Sequence, residues 1–567
     1  MEEAKDVVYR PPATDLIEIT KDYIENMINM SEARKALILD EDTLGYVALN
    51  YSRSNLLEKN VYLFETIDRK GTEKLKHLEA IFFVRNNTEN YQKIKDELEN
   101  PLFSKYYLIF ANTVEDQKLR EFADWDKYNL VLKVAEMYCD YYAINRDLFS
   151  LNISTSMDLL VKVHLWNQAS QAKMNRIVEG IFSVILSWRK HPYIRYSKHS
   201  NRATKLADSL NNYISTEDEF VAKYSKDDEK CTLVILDRRD DPLTPLLNQW
   251  TYQGMIHEVI GINNHRVKLD NKEEIVINPD QDEFFGKNMY KNYGEMAEEL
   301  NKLVNEFKEK NNSQAKVESI EDMQRFMETY PEFKKYSGNV NKHVNIMSEL
   351  SRKIEKRRLL TVSEVEQDIA IKSSKSEHTK QVQEILEDPE VDTFEKIRLI
   401  TIYALRYEGD SNITKFKNAL KSEDVKPEHL EFIDIVLEYA GKKKRSPFLF
   451  AKSGDILSSA FNSLKSAFKE VKNVFTQHKS CMHSVIEQIV KGKLSESDFP
   501  YAGVSPKDTK TTDIIVFIIG GATYQEAKEI AEFNNISPDY NVILGGSIIH
   551  NSKSFIAEAT EVKEFDI

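Results

Sequence analysis

Four short apolar runs punctuate the first 150 residues: KALILD from Lys35, NVYLFETI from Asn60, AIFFVR from Ala80 and YYLIFAN from Tyr106. Each is rich in aliphatic and aromatic side chains and too short for a helix, and the polar stretches between them are long enough to hold one. That rhythm predicts a parallel α/β sheet. Ahead of it, Asp15 and Glu18 stand at capping-box spacing, and Leu16, Tyr23, Ile24, Met27 and Ile28 fall on one helical stripe. A helix therefore opens the unit.

Residues 151–230 carry helical patterns, QAKMNRIVEGIFSVILSW and NRATKLADSLNNYI, and TLVILD from Thr232 is the one convincing strand. A single strand makes no sheet. The C-terminal segment has the opposite deficit: IIVFIIGG, TYQEAKEIAEF, NVILGG and SKSFIAEA read as a βαβα unit too small to fold alone. Joining the two predicts a discontinuous α/β domain interrupted by a mainly helical insertion. The expected division is 1–140, 141–238, 239–360, 361–480 and 481–567, with the second and fifth segments sharing one sheet. Charged, polar stretches at 305–319 and 372–380 are expected to be exposed loops.

With 567 residues and 41% hydrophobic content, the chain can fill several cores. Its net charge of −14 argues against a general nucleic-acid binder. Cys139, Cys231 and Cys481 lie far apart without metal-site spacing, as expected of reduced thiols. No apolar run approaches the roughly 20 residues of a bilayer span, and MEEAKDVVYRPP lacks a signal-peptide core. A cytosolic chain that meets membranes only through partners is expected.

Signatures of catalysis are incomplete. The Gly-Lys pairs at Gly286, Gly441 and Gly492 lack the Ser or Thr of a P-loop, and His257-Glu258 begins a zincin motif that Gly261 breaks. There is no GxSxG elbow and no GxGxxG fingerprint. IIGGAT and ILGGS place paired glycines after strands, where a phosphate could approach a helix. A phosphate- or nucleotide-binding enzyme is thus the alternative to a binding protein, although tight strand-to-helix turns need such glycines without any ligand. Asp237, Arg238, Arg239, Asp240 and Asp241, followed by Pro242, alternate carboxylates with guanidinium groups. That arrangement keeps the acids ionised and suits a hydrogen-bonded hinge better than acid catalysis. His191 and His199 read as surface or turn residues. No catalytic residue, metal or cofactor is expected.

Val340, Val344, Met347, Leu350 and Ile354 make an apolar stripe on one helix, with Arg352, Lys353, Lys356, Arg357 and Arg358 at its end. The stripe can pack internally or dock an apolar, acidic partner helix. The basic turn GKKKRSP from Gly441 reads as a solvated loop.

Several segments occur in a characteristic order: YLFETID from Tyr62, INRDLFSLN from Ile144, LVILDRRDDPLTPLLNQWTYQGMIHEVIGINNHRV from Leu233, YPEFKKYSGNVNKHVNIMSELSRKI from Tyr330, VSEVEQDIA from Val362, VFTQH from Val474, IIVFIIGGATYQEA from Ile514 and VILGGSIIHNSKSF from Val542. Together they resemble the Sec-one/Munc-eighteen (SM) family of SNARE-assembly regulators, within it the Golgi and endosomal vacuolar-protein-sorting branch. The resemblance implies an arch-shaped fold with two parallel-sheet α/β domains and a mainly helical insertion. It implies no enzyme activity, a syntaxin-type Qa-SNARE and an R-SNARE as partners, and a place at Golgi, trans-Golgi and endosomal membranes. By position it assigns Asp40, Leu44, Arg53 and Glu65 to a Qa-SNARE cradle. It assigns Leu119, Val131 and Glu136 to a pocket for a Qa-SNARE N-terminal peptide, and Pro331, Val344 and Met347 to an R-SNARE hairpin.

Overall fold

The computed structural model describes residues 15–69, 73–154, 166–217, 230–310, 319–329, 340–421, 425, 427–450, 477–503, 505 and 511–560. The helix Leu16–Ile28 starts where Asp15 accepts hydrogen bonds from the Ile17 and Glu18 amides. Only that half of the expected box forms, because Glu18 turns to Lys21 instead. Five parallel strands follow, ordered Val61–Thr66, Lys35–Leu39, Glu79–Val84, Tyr106–Phe110 and Val131–Glu136. The central three are almost wholly buried, as a parallel sheet covered by helices on both faces requires. The fifth strand is an addition to the sequence expectation. VLKVAE is a half-exposed edge without a continuous apolar run.

A second, seven-stranded sheet is ordered Tyr501–Ala502, His191–Tyr196, Lys230–Asp237, Asp513–Ile519, Asn541–Gly546, Leu148–Ser150 and Tyr142–Asn145. Its centre joins distant chain: Cys231 faces Asp513, and Ile235 faces Phe517, in parallel register. His191 opens a strand here instead of lying in a turn, because HPYIRY pairs with Lys230–Asp237 on one side and Tyr501–Ala502 on the other. The C-terminal strand, helix, strand and helix occur at Asp513–Ile519, Tyr524–Ile536, Asn541–Gly546 and Ser552–Thr560. Thr523 and Glu526 form a reciprocal capping box at the start of the first helix.

The two sheets share apolar core: Leu37 and Ile81 of the first belong to the same buried cluster as Val234 and Ile514 of the second. A polar brace crosses the same junction. Asp140, fully buried, receives Arg85 Nε at 3.0 Å and Arg176 Nη2 at 3.0 Å, and Arg85 also reaches Glu179 at 3.0 Å.

Between residues 238 and 480 the described chain is mainly helical, with one small antiparallel hairpin, Arg266–Lys268 and Glu274–Val276. One core gathers Trp250, Tyr252, Phe285 and Met347, and another gathers Leu399, Tyr403, Phe432 and Phe555. The stretch 372–380 is not a loop throughout. A helix, Lys375–Glu387, begins inside it and buries His378, Val382, Ile385 and Leu386, while its charges face solvent. Likewise the helix Tyr293–Lys310 runs into the stretch 305–319, of which 311–318 lie outside the described residues.

Candidate functional site

The residues assigned to the cradle lie around the first edge of the five-stranded sheet, with unequal freedom. Asp40 ends the strand Lys35–Leu39 and caps the helix Glu41–Asn50. Its carboxylate accepts from the Thr43 amide at 2.8 Å, the Arg85 amide at 2.6 Å and Asn90 Nδ2 at 2.7 Å, so its oxygens are spent on the fold. Leu44 is half-buried against the shared core. Arg53 starts the helix Arg53–Glu58 and is exposed. Glu65 lies on the edge strand, with its side chain 40% exposed and Arg69 at 3.9 Å. Arg53 and Glu65 are therefore the members of this group that offer accessible charge. Leu57 and Tyr62, on the same helix and strand, are 56% and 55% exposed. Sequence reasoning missed both, because an apolar residue next to a strand is ordinarily read as core.

At the opposite edge, Leu119 is exposed on the helix Asp116–Trp125, and Val131 begins the edge strand half-buried. Glu136 ends that strand. One of its oxygens accepts from the Val114 amide at 2.7 Å and the other from the Tyr138 hydroxyl at 2.7 Å. A cation bound there would share an oxygen already in use. Tyr128 and Leu132, again unforeseen, add exposed apolar area beside it.

The helix Val340–Lys356 forms as its periodicity predicts, but the stripe faces inward. Val344 is 1% exposed and Met347 fully buried, both packed with Trp250, Tyr252 and Phe285. In this conformation their side chains are closed to an R-SNARE, because the tertiary core takes the face that periodicity left open. His343 on the same helix bonds Tyr252 Oη and Asp282 Oδ2, each at 2.9 Å. Burial pushes the Asp282 carboxyl upward, but His343 and Lys342 outweigh it and hold the group at about 2. The basic end is also occupied: Arg352 and Lys353 pair with Asp270, Arg357 with Glu395, and Arg358 with Glu390 at 3.2 Å. Pro331 lies outside the described residues.

The acidic-basic run after Lys230–Asp237 is wholly buried, Pro242 included. Asp237 holds Arg202 at 2.6 Å, and Arg238 meets Glu526 at 2.6 Å and the Gly521 carbonyl at 2.9 Å. Arg239 reaches the His199 carbonyl. Asp240 accepts from Ser197 Oγ at 2.7 Å and the Ser446 amide at 2.9 Å, and Asp241 from the Cys481 amide at 3.0 Å. Burial drives the Asp237 carboxyl up, but Arg202 and Arg239 bring it below the usual range. With so many buried charges paired, the segment ties the split sheet to the helical insertion through a hydrogen-bonded network.

Both glycine pairs are packed against this chain's own atoms. An added Cβ would lie 2.9 Å from Arg238 Cβ at Gly520, 2.3 Å from His550 at Gly521, 2.0 Å from Phe149 at Gly545 and 2.6 Å from the Ala522 nitrogen at Gly546. Close packing and the left-handed φ of +90° and +93° at Gly520 and Gly521 account for them. His257, buried and pushed down to about 4, receives the Ile262 amide at Nδ1 and faces the Ile549 carbonyl with Nε2. Both nitrogens are thus engaged within the protein. Cys139, Cys231 and Cys481 are free thiols.

Two α/β sheets, a helical insertion between the strands of the second, and a buried joint where the insertion departs define the architecture. The model of the Sec1 family matches residues 35–558. The chain belongs to the Sec1 family. It is 39% identical to vacuolar protein sorting-associated protein 45 of Rattus norvegicus over 555 residues, covering 96% of each chain. It is 36% identical to the protein of that name from Dictyostelium discoideum, covering 97% of each. Among solved structures it is similar to the SM protein Vps45 in complex with the Qa SNARE Tlg2, with TM-score 0.85 and 38% identity, covering 96% of this chain and 98% of that one. An Unc18–syntaxin 1 complex from Monosiga brevicollis, at 17% identity and TM-score 0.78, shares the fold. Sec1-family membership places the chain among SM proteins. Among the described residues no helix is long and apolar enough to cross a membrane.

Proposed function

We propose that this chain is an SM-type regulator that binds a syntaxin-like Qa-SNARE and templates SNARE pairing for vesicle fusion in trans-Golgi and endosomal protein transport. The observation that carries this reading is near-full-length similarity, in sequence and fold, to a Vps45 solved with its Qa SNARE. The mechanism is positional. An isolated SNARE helix is costly to nucleate and orient, so a folded surface that pre-aligns two of them lowers the entropic barrier to zippering.

Within this reading, Arg53 and Glu65, joined by Leu57 and Tyr62, present the Qa-SNARE cradle, and Asp40 and Leu44 hold its shape. Leu119 and Val131, with Leu132, floor the N-peptide pocket, and Glu136 supplies its charge. An R-SNARE engages the helix Val340–Lys356 only after part of the inward stripe is released. The protein reaches Golgi and endosomal membranes through these partners. Pull-down of purified Qa-SNARE cytosolic domains, followed by timed SNARE assembly with and without the chain, tests the proposal. One Qa-SNARE is expected to bind and to assemble faster. Absence of binding across a panel of Golgi and endosomal Qa-SNAREs overturns it.

A further inference from the structure

Between the two α/β units and the helix Val340–Lys356 lies a short segment whose details exceed what a connection requires. Asn263 and Arg266 close a two-residue turn by exchanging amide-to-carbonyl bonds of 3.0 and 2.8 Å. Its central residues, Asn264 at φ 47° and His265 at φ 59°, are both left-handed. Such a turn is the ordinary start of a tight hairpin, and its second central position, usually glycine, is here His265. The position gives His265 a bridging role. Its Nε2 donates to the Ile144 carbonyl at 2.9 Å, so Nδ1 is an acceptor and receives Asn278 Nδ2 at 3.3 Å. The second hydrogen of that amide goes to the carbonyl of Leu49, and Asn278 Oδ1 accepts the Asp280 and Gln281 amides at 2.8 and 3.0 Å. Both side chains are 3% exposed, and Lys21 pairs with Asp280 beside them. Leu49 lies in the last turn of Glu41–Asn50, the helix that carries Leu44 and is capped by Asp40.

The other end of the segment grips the helix Val340–Lys356. The hairpin tip closes through Lys272 at φ 69° and presents Asp270, which pairs with Arg352 and with Lys353 at 2.8 Å. The Asp270 amide donates to Glu349 at 3.1 Å, and Lys342 donates to the Val276 carbonyl at 2.8 Å. Underneath, Val267, Leu269, Ile275 and Ile277 are buried in the same core as Val344, Met347 and Leu350. Fully satisfied polar groups at one end and an apolar seat at the other leave little room to absorb a displacement.

We propose that residues 263–281 form a strut that couples Qa-SNARE engagement at the helix Glu41–Asn50 to the helix Val340–Lys356, so that each site biases the other. Asn278 and Asp270 act as positioning residues at its two ends. The inference rests on the proposed function for the identity of the ligand at the cradle.

Hydrogen exchange of the full chain, with and without a bound Qa-SNARE cytosolic domain, tests it. Binding is expected to change exchange of the amides in Val340–Lys356 by about fivefold or more in the parent. Asp270→Ala, at a side chain more than half exposed, is expected to keep Qa-SNARE affinity and lose that change. Asn278→Ala, confirmed folded by its thermal transition, should lose it from the other end. A bound parent with unchanged exchange in that helix, or an Asp270→Ala protein that responds like the parent, overturns the strut while leaving the proposed function standing. A parent that binds no Qa-SNARE overturns the function, and the strut with it.

Discussion

The two sheets bury comparable apolar strands by opposite routes. In the first, the five strands lie within residues 35–136 and adjacent strands are near neighbours in the chain. In the second, the central pair joins residues 231–237 to residues 513–519, across the entire helical insertion. A sheet made of local chain needs only its own loops, whereas a sheet made of remote chain must also overcome the entropy of closing a very long loop. The structure places buried ion pairs and hydrogen bonds at the mouth of that loop, where Asp237, Arg238, Asp240 and Asp241 meet Arg202, Glu526, Ser446 and Cys481. Long-range closure and a fastened exit belong together.

The sharpest contrast is between fragments. Residues 1–140 expressed alone are expected to give a cooperative thermal transition by circular dichroism, and residues 500–567 none. A protease-resistant, cooperatively melting 500–567 fragment would erase the distinction.

Next in size is the joint itself. Arg238→Leu leaves Glu526 buried without its cation and should cost about 3–5 kcal/mol in urea unfolding, while adding Glu526→Gln, which removes the charge and keeps an acceptor for the Thr523 amide, should recover part of the loss. The surface pair of half-buried Lys93 with exposed Glu89 in the first unit supplies the comparison: Glu89→Ala should change stability by less than about 1 kcal/mol. Equal effects at the two places would remove the special status of the joint.

A pH profile reads buried carboxyls of both the split sheet and the helical insertion. Asp147, in the turn before Leu148–Ser150, is pushed up to about 7 by burial. From about pH 4 to 7 the folded chain then holds a proton that the unfolded chain has lost. Stability from this group therefore falls as pH rises through that window, by roughly 4 kcal/mol, and is flat above it. Asp147→Asn should remove this group's share of the slope and leave that of Glu366 in the insertion, whose carboxyl burial also raises to about 7. Asp282, held at about 2 in the insertion, has the opposite sign: its contribution is full above the ordinary carboxylate range and is lost as pH falls through 2. Chemical denaturation of parent and variant across pH reads both.

The smallest expected effect concerns the outer edge of the first sheet. Leu119→Arg should weaken a Qa-SNARE N-terminal peptide by roughly 2 kcal/mol in calorimetry. The fold should be unaffected, since Leu119 is 39% exposed. Unchanged affinity in a folded variant would take Leu119 out of the pocket.

Much of this architecture was legible in windows of ten to twenty residues. The four apolar runs of the first unit, the opening helix with its Asp15 cap, and the C-terminal alternation of strand and helix all appear where periodicity and capping place them. Misses share a cause. Val131–Glu136 and His191–Tyr196 lack a continuous apolar run and become strands by pairing with neighbours already in place. The candidate surfaces were less legible still: the resemblance located Asp40 and Glu136, but nothing local showed that their oxygens are committed to Arg85, Asn90, Val114 and Tyr138.

The amino-acid sequence by itself determined the α/β class, the need for a second sheet built from two distant segments, and the amphipathic helix Val340–Lys356, because strand and helix periods and turn chemistry act between near neighbours. Tertiary structure alone decided that Val344 and Met347 face the core, that the run from Asp237 to Asp241 is a buried joint, and that His265 and Asn278 reach Ile144 and Leu49. Those outcomes depend on which side chains meet across hundreds of residues, and a buried charge or amide takes its role from the partner that satisfies it, which no local pattern specifies.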